Sequence, residues 1–233
     1  MAGADGAMHD SEAHAMHEKF TTLTPELYAY LVEHNPRPDP VLRDLARETA
    51  ALGEVSIMQV SVEQGAFLTL LGRIMGARRA VEVGTFTGYS AICMARGLAN
   101  DGRLLCCDVN EEWTAIARRY LARAGLADRV DLRLAPALET LRMLPRAEEI
   151  DLSFIDADKV NYRAYYEELL ARTRPNGIIL FDNVLWSGDV INPEDRSEST
   201  EAIRALNDFL RQDDRVDVVM LPISDGLTIA RKR

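Results

Sequence analysis

From Ala77 onward the chain alternates short apolar runs with amphipathic stretches, and this rhythm constrains the fold more than any other feature. The apolar runs read as strands over Ala80–Val83, Arg103–Asp108, Val130–Leu134, Ile150–Ile155, Gly177–Phe181, Val216–Leu221 and Leu227–Arg231. Helices are expected over Tyr89–Ala99, Glu111–Ala124, Ala137–Met143, Tyr162–Thr173 and about Thr200–Arg211. Apolar strands joined through helices make a parallel sheet covered on both faces. The last two runs are separated only by Pro222-Ile223-Ser224-Asp225-Gly226, too few residues for a crossover helix, so they form an antiparallel hairpin. Upstream, Thr24 reads as an N-cap with Pro25 at the first helical position, and a break at Pro36, Pro38 and Pro40 follows. Further helices are expected around Val41–Leu52 and over Val62–Met75. This reads as a single α/β domain over residues 20–233 in which the helices of 20–76 are an appendage. Residues 1–19, with His9, His14 and His17, read as a flexible tail without apolar anchors.

Composition narrows the function. With 27 Lys+Arg against 37 Asp+Glu the net charge is −10, so the chain is a poor partner for nucleic acid. A hydrophobic fraction of 47% and a charged fraction of 27% exclude a disordered, collagenous or coiled-coil chain. No apolar run approaches the roughly 18 residues of a membrane span, and no basic region followed by an apolar core opens the sequence. Three cysteines, of which Cys106 and Cys107 are adjacent strand residues, fit a reducing cytoplasm.

The first strand runs into Gly84-Thr85-Phe86-Thr87-Gly88, a G-x-x-x-G turn. Dinucleotide binders use G-x-G-x-x-G, whose extra glycine lets the backbone approach a pyrophosphate. Its absence points to a nucleoside ligand without a diphosphate, although a plain structural turn has the same spacing. Asp108 lies 24 residues after Gly84 at the end of the second strand, where a carboxylate accepts from ribose hydroxyls. Glu82 sits inside an otherwise apolar strand and needs a partner, either the turn backbone or a charged part of the ligand. The fourth strand ends at Asp156-Ala157-Asp158-Lys159 and the fifth at Asp182-Asn183. Neighbouring parallel strands bring Asp156, Asp182 and Asn183 together as hard oxygen donors suited to Mg²⁺, Mn²⁺ or Ca²⁺. Helix capping is the alternative for such residues and suits Asp158, whereas Asn183-Val184-Leu185-Trp186 is no helix start. Lys159, three residues after Asp156, is a candidate general base beside such a cation.

Four segments in this order, 81–90, 154–162, 181–188 and 221–227, resemble the cation-dependent O-methyltransferases, the family of the plant caffeoyl-CoA O-methyltransferases and their bacterial relatives. The resemblance implies a class I methyltransferase fold of the Rossmann-like α/β type, with a seven-stranded, mostly parallel sheet of order 3-2-1-4-5-7-6. It implies S-adenosylmethionine as methyl donor, a cation such as Mg²⁺, a small phenolic acceptor and a homodimer. Carried onto this chain, Glu82 and Gly84 meet the methionine part of the donor, Ser90 its carboxylate and Asp108 the ribose. Ala137 lies near the adenine, and Val60 and Gln64 match further cofactor positions. Asp156 touches both donor and metal, Asp182 and Asn183 complete the metal set, and Lys159 takes the base role. Met58 and Trp186 match acceptor-side positions. Plant members carry Glu where this chain has Gln64. The segment 191–200 is acidic and lacks the basic and aromatic residues that plant members set against coenzyme A. This favours a catechol or hydroxylated natural product over a thioester. A non-catalytic nucleoside-binding protein and an NAD-dependent reductase are the competing readings; the missing third glycine opposes the second and the carboxylate–amide group the first.

Overall fold

A computed structural model describes residues 21–147 and 149–233. The tail expected over residues 1–19, with its three histidines, lies outside the described residues. The chain divides into two compact units between Asn35 and Pro36. The first holds α1 (Pro25–Glu33), started as expected by Thr24, whose Oγ1 accepts from Leu27 N at 3.3 Å.

The second unit opens with α2 (Pro40–Ala50), capped by Asp39 with Leu42 N donating to its Oδ1 at 3.0 Å. A 3-10 turn (Gly53–Met58) and α3 (Val62–Met75) follow, and Ser61 caps α3. Then come β1 (Arg79–Val83), α4 (Tyr89–Gly97), β2 (Arg103–Asp108), α5 (Glu111–Arg123), β3 (Val130–Leu134), α6 (Ala137–Met143), β4 (Ile150–Ile155), α7 (Tyr162–Leu170), β5 (Thr173–Asp182), α8 (Glu198–Gln212), β6 (Val216–Leu221) and β7 (Leu227–Lys232). Among the described residues the sheet has seven strands in the order β3-β2-β1-β4-β5-β7-β6. Pairs from β3 across to β5 are parallel, while β7 runs antiparallel to both β5 and β6. This is the expected topology, hairpin included.

Strand side chains alternate between two cores. Ala80, Leu104, Cys106, Leu152, Phe154 and Leu180 face one way and pack with residues of α2, α3, α4 and α5, Leu45 and Leu68 among them. Val81, Val83, Cys107, Ile155, Ile179 and Phe181 face the other and pack with residues of α6, α7 and α8. Both cysteines of the adjacent pair are buried and free. The register Val83↔Cys107, Val83↔Ile155 and Ile155↔Phe181 brings the carboxyl ends of β1, β2, β4 and β5 to one level. Asp108 and Asp182, the last residues of β2 and β5, and Gly84 and Asp156, which follow β1 and β4, therefore meet at the carboxyl ends of the strands.

Two elements depart from expectation. The fifth strand begins at Thr173, four residues before the expected start at Gly177, and takes the last residues from the preceding helix, which ends at Leu170. Pro175-Asn176-Gly177 has the composition of a turn, and Asn176 does have φ 63°, yet the segment is a register irregularity within the β4–β5 pairing. Arg174 holds it in place through Asp151, with Nε to Oδ1 at 2.5 Å. Asp158 does not cap a helix through its side chain. Its carboxylate instead receives Tyr165 Oη at 2.5 Å and the side-chain amide of Asn161. No helix among the described residues is long and apolar enough to cross a membrane.

Candidate active site

The glycine turn comes first, because it seats everything else. Gly84 has φ 89°, and a Cβ there would stand 1.9 Å from the carbonyl oxygen of Asp156. The tips of β1 and β4 thus touch through backbone alone, and only glycine permits it. Gly88, φ 93°, begins α4 with its would-be Cβ 2.9 Å from Ala117 Cβ. Between them the turn is held by Asp108: its Oδ2 accepts from Thr85 N at 2.9 Å and Phe86 N at 2.8 Å, and its Oδ1 from Asn110 N at 2.9 Å. The carboxylate that spacing assigned to a ribose also builds the turn. A carboxylate offers about four acceptor sites, so one is left for a ligand hydroxyl. Thr87 is tied to Thr49 of α2 by a buried hydroxyl–hydroxyl bond of 2.8 Å. The Phe86 and Trp113 rings meet edge to face at 5.0 Å beside the turn.

Glu82 lies under the turn, wholly buried, and neither carboxylate oxygen has a hydrogen-bond partner. Burial pushes its pKa up to about 8, which the nearby hydroxyls of Ser90 and Thr85 and the Cys106 thiol offset only in part. Both polar atoms of the Gln64 side chain are also buried without a partner, as is Thr85 Oγ1. Orphaned buried polar atoms cost free energy unless a ligand satisfies them. Glu82, Gln64 and Ser90, all expected at cofactor positions, are buried residues. Val60 and Ala137 are both buried, Val60 just ahead of α3 in the first core and Ala137 at the start of α6 in the second.

Beside the turn, Lys159 is buried and its ammonium has three acceptors: Tyr162 Oη at 2.6 Å, Asn183 Oδ1 at 2.7 Å and Asp156 Oδ1 at 3.1 Å. Asp182 is almost wholly buried, and burial together with the Asp156 charge raises its carboxyl to about 8. The Asn183 backbone N–H (2.8 Å to Asp182 Oδ1) and the Lys159 charge act in the opposite sense. Asp156, Asp182, Asn183 and Lys159 thus converge as the strand order required. Trp186 joins them, with Lys159 Nζ 5.5 Å from its ring centre. Met58 stands exposed at the end of its 3-10 turn, and no bond among the described residues ties it to this group.

The donor set is two carboxylates and an amide oxygen; among the described residues no three of His, Cys, Asp and Glu gather in a metal-holding group. Hard oxygens already bridged by a positive charge suit Mg²⁺, Mn²⁺ or Ca²⁺ and not zinc. Sequence reasoning missed Tyr162, whose buried hydroxyl stays protonated because burial and Asp156 raise its pKa well above the ordinary value. Tyr162 follows Lys159 by three residues, the spacing of one helical turn, which was the available signal.

A cavity of about 430 Å³ lies at the amino-terminal ends of β1, β2 and β3, away from this group. Its Arg79, Arg129, Arg133 and Arg172 are each bound to protein acceptors, so none is free for a ligand.

Comparison with known proteins agrees with the geometry. The family profile described as O-methyltransferase matches residues 32–233. Catechol O-methyltransferase domain-containing protein 1 of Mus musculus is 39% identical over 216 residues, covering 90% of this chain and 82% of that protein. Caffeoyl-CoA O-methyltransferase 2 of Zea mays is 36% identical, covering 89% and 83%. The O-methyltransferase from Bacillus cereus, solved in complex with SAH, superposes with a TM-score of 0.81 at 35% identity over 88% of this chain and 96% of that one. A glycine turn over a buried glutamate, an acidic–amide group at the next strand tips and these likenesses agree: the chain belongs to the O-methyltransferase family, as a relative of the caffeoyl-CoA O-methyltransferases.

Proposed function

We propose that this family member transfers a methyl group from S-adenosylmethionine to one of two vicinal hydroxyls of a small phenolic compound, and that it needs a divalent cation to do so. The observation that carries this reading is that Lys159 binds both Asp156 and Asn183 beside the Gly84 turn, with the Asp182 carboxyl close enough to feel the charges of Asp156 and Lys159. The methyl donor is supported by the family and by the orphaned polar atoms of Glu82 and Gln64 under that turn.

Asp156, Asp182 and Asn183 would hold the cation. When bound, the cation stabilises an ionised hydroxyl and the sulfonium donor supplies the methyl group. A free phenol has a pKa of about 10, so roughly one in a thousand is ionised at pH 7. The chain's own residues do the rest. For Lys159 to receive the hydroxyl proton its amine must be neutral beforehand; the three acceptors around Nζ then match the three donors of the ammonium that forms. The Gly84 turn fixes the donor and the Trp186 side the acceptor, which holds the reacting atoms in line. Such positioning supplies about 7–11 kcal/mol of barrier reduction.

The acidic segment 191–200 favours a compact acceptor over a coenzyme A thioester. Its one basic residue, Arg196, is paired with Glu201. Asp195, two residues before the Ser197 cap of α8, accepts from Thr200 Oγ1 at 2.7 Å and Ser197 N at 2.8 Å. The Asp195 carboxylate would repel a nucleotide phosphate, and Arg196 is already paired. The test is methyl transfer to a panel of catechols, simple phenols and caffeoyl-CoA, read by mass spectrometry with EDTA and with Mg²⁺. Turnover of catechols that EDTA abolishes and Mg²⁺ restores is expected. Full turnover in EDTA refutes the cation, and a thioester-only profile refutes the acceptor class.

A further inference from the structure

The β6–β7 turn does more than reverse the chain. Asp225 at its tip makes its side-chain bonds to residues 38 and 42 positions away, not to its own turn. Asp225 Oδ2 accepts from Asn183 Nδ2 at 3.3 Å, and Asp225 Oδ1 accepts from Ser187 N at 2.6 Å. Backbone bonds dock the same turn on the same loop: Leu185 N donates to Asp225 O at 3.0 Å and Val184 N to Gly226 O at 3.2 Å. Gly226 has φ 86°, and a Cβ there would stand 2.5 Å from Leu185 Cγ, so the two segments are pressed together.

This matters because the two ends of an Asn amide have the same shape and opposite chemistry. Only the oxygen end of Asn183 is a ligand for a hard cation. Its neighbours leave one orientation: an ammonium only donates and a carboxylate only accepts, so Oδ1 faces Lys159 and Nδ2 faces Asp225. The Asn183 backbone, φ 54°, is left-handed, which Asn and Asp tolerate better than most residues. Backbone conformation therefore selects a short polar side chain at this position without choosing which end points inward.

We propose that Asp225 is a positioning residue: it orients the Asn183 amide oxygen toward the cation and, through Ser187 N, fixes the Trp186 loop to the same turn. This rests on the cation reading above. Removing a group that orients a metal ligand typically costs 10–100-fold in metal affinity.

The experiment is Mn²⁺ binding followed by electron paramagnetic resonance, with no acceptor present and no turnover needed. S-adenosylhomocysteine binding by calorimetry is measured beside it. The variants are Asp225→Asn and the double variant Asn183→Asp/Asp225→Asn. Asp225→Asn puts an amide against an amide and leaves Asn183 free to turn its NH₂ inward. Its Mn²⁺ affinity is expected to fall 10–100-fold, with S-adenosylhomocysteine affinity unchanged within about twofold. A carboxylate at position 183 has two equivalent oxygens and needs no orienting, so the double variant recovers Mn²⁺ affinity to within a few-fold of the unaltered protein. Equal Mn²⁺ affinity in Asp225→Asn and the unaltered protein overturns the proposal alone. So does a double variant without recovery, or joint loss of Mn²⁺ and S-adenosylhomocysteine binding, since each reduces Asp225 to a fold-holding residue. An unaltered protein that takes up no Mn²⁺ overturns the cation reading, and the proposal with it.

Discussion

Replacing the buried glutamate under the glycine turn, Glu82→Gln, gives a stability change whose pH dependence is set by the structure. Glu82 has a folded pKa of about 8 against an ordinary value of 4.5. A gap of about 3.5 units corresponds to about 5 kcal/mol, at 1.36 kcal/mol per unit. Because the folded pKa is raised, the folded state holds the proton more tightly. The contribution is fully present below pH 4.5, declines as pH rises from 4.5 to 8, and is gone above 8. Glutamine stays neutral throughout. The variant is therefore expected to exceed the unaltered protein by about 1 kcal/mol at pH 5, about 3 kcal/mol at pH 7 and about 5 kcal/mol at pH 9. Asp182, also raised to about 8, titrates in both proteins and cancels from the difference. Urea unfolding of the two proteins at pH 5, 7 and 9 measures it. A stability difference that is flat across this range refutes the buried, uncompensated carboxyl. The same residue predicts proton release on ligand binding, since a cofactor ammonium pairs with the ionised form. At pH 7 about 0.9 proton should leave per S-adenosylhomocysteine bound, and none in Glu82→Gln. Calorimetry in buffers of different ionisation enthalpy reads that number.

Three further outcomes are expected. Lys159→Ala should lower kcat by about 10²–10⁴, the range of a lost proton-transfer group, with S-adenosylhomocysteine affinity near normal. Its Mn²⁺ affinity should hold or rise, because the ammonium on Asp156 and Asn183 is gone; unchanged kcat removes the base role. Asp108→Ala should weaken S-adenosylhomocysteine binding by about 2–3 kcal/mol, through loss of charge-assisted bonds to the turn and ribose. Equal affinity by calorimetry contradicts both roles. EDTA should abolish turnover and Mg²⁺ restore it, as assayed above.

The parallel sheet, its antiparallel hairpin and the meeting of Asp156, Asp182 and Asn183 were legible from apolar strands and connection lengths, while the strand order came from the resemblance of four segments to a known family. What escaped was the chemistry of backbone partners. Asp108 was read for its distance from Gly84, but nothing in that spacing says that three amides already occupy it. Asp158 has the composition of a cap, yet Tyr165 and Asn161 claim its carboxylate. The start of β5 was hidden because Pro175-Asn176-Gly177 carries turn residues inside a strand, where Arg174 and Asp151 pin an irregularity that only tertiary contact creates. Asp225 looked like a turn residue because a hairpin explains it locally; its partners are remote in sequence and invisible to any short window.

The insertion of β7 between β5 and β6 sets a timetable for the molecule during its synthesis. Strands β1 to β5 emerge in sequence and can pair with neighbours already made, β4 reaching back past β2 and β3 to β1. Asn183 and the Trp186 loop must wait for residues more than thirty-five positions later in the chain. A nascent chain halted before β7 would carry a seat for the methyl donor with an unfinished reaction centre beside it. Chains released at lengths ending before β7 and after it should therefore differ more in Mn²⁺ uptake than in affinity for S-adenosylhomocysteine.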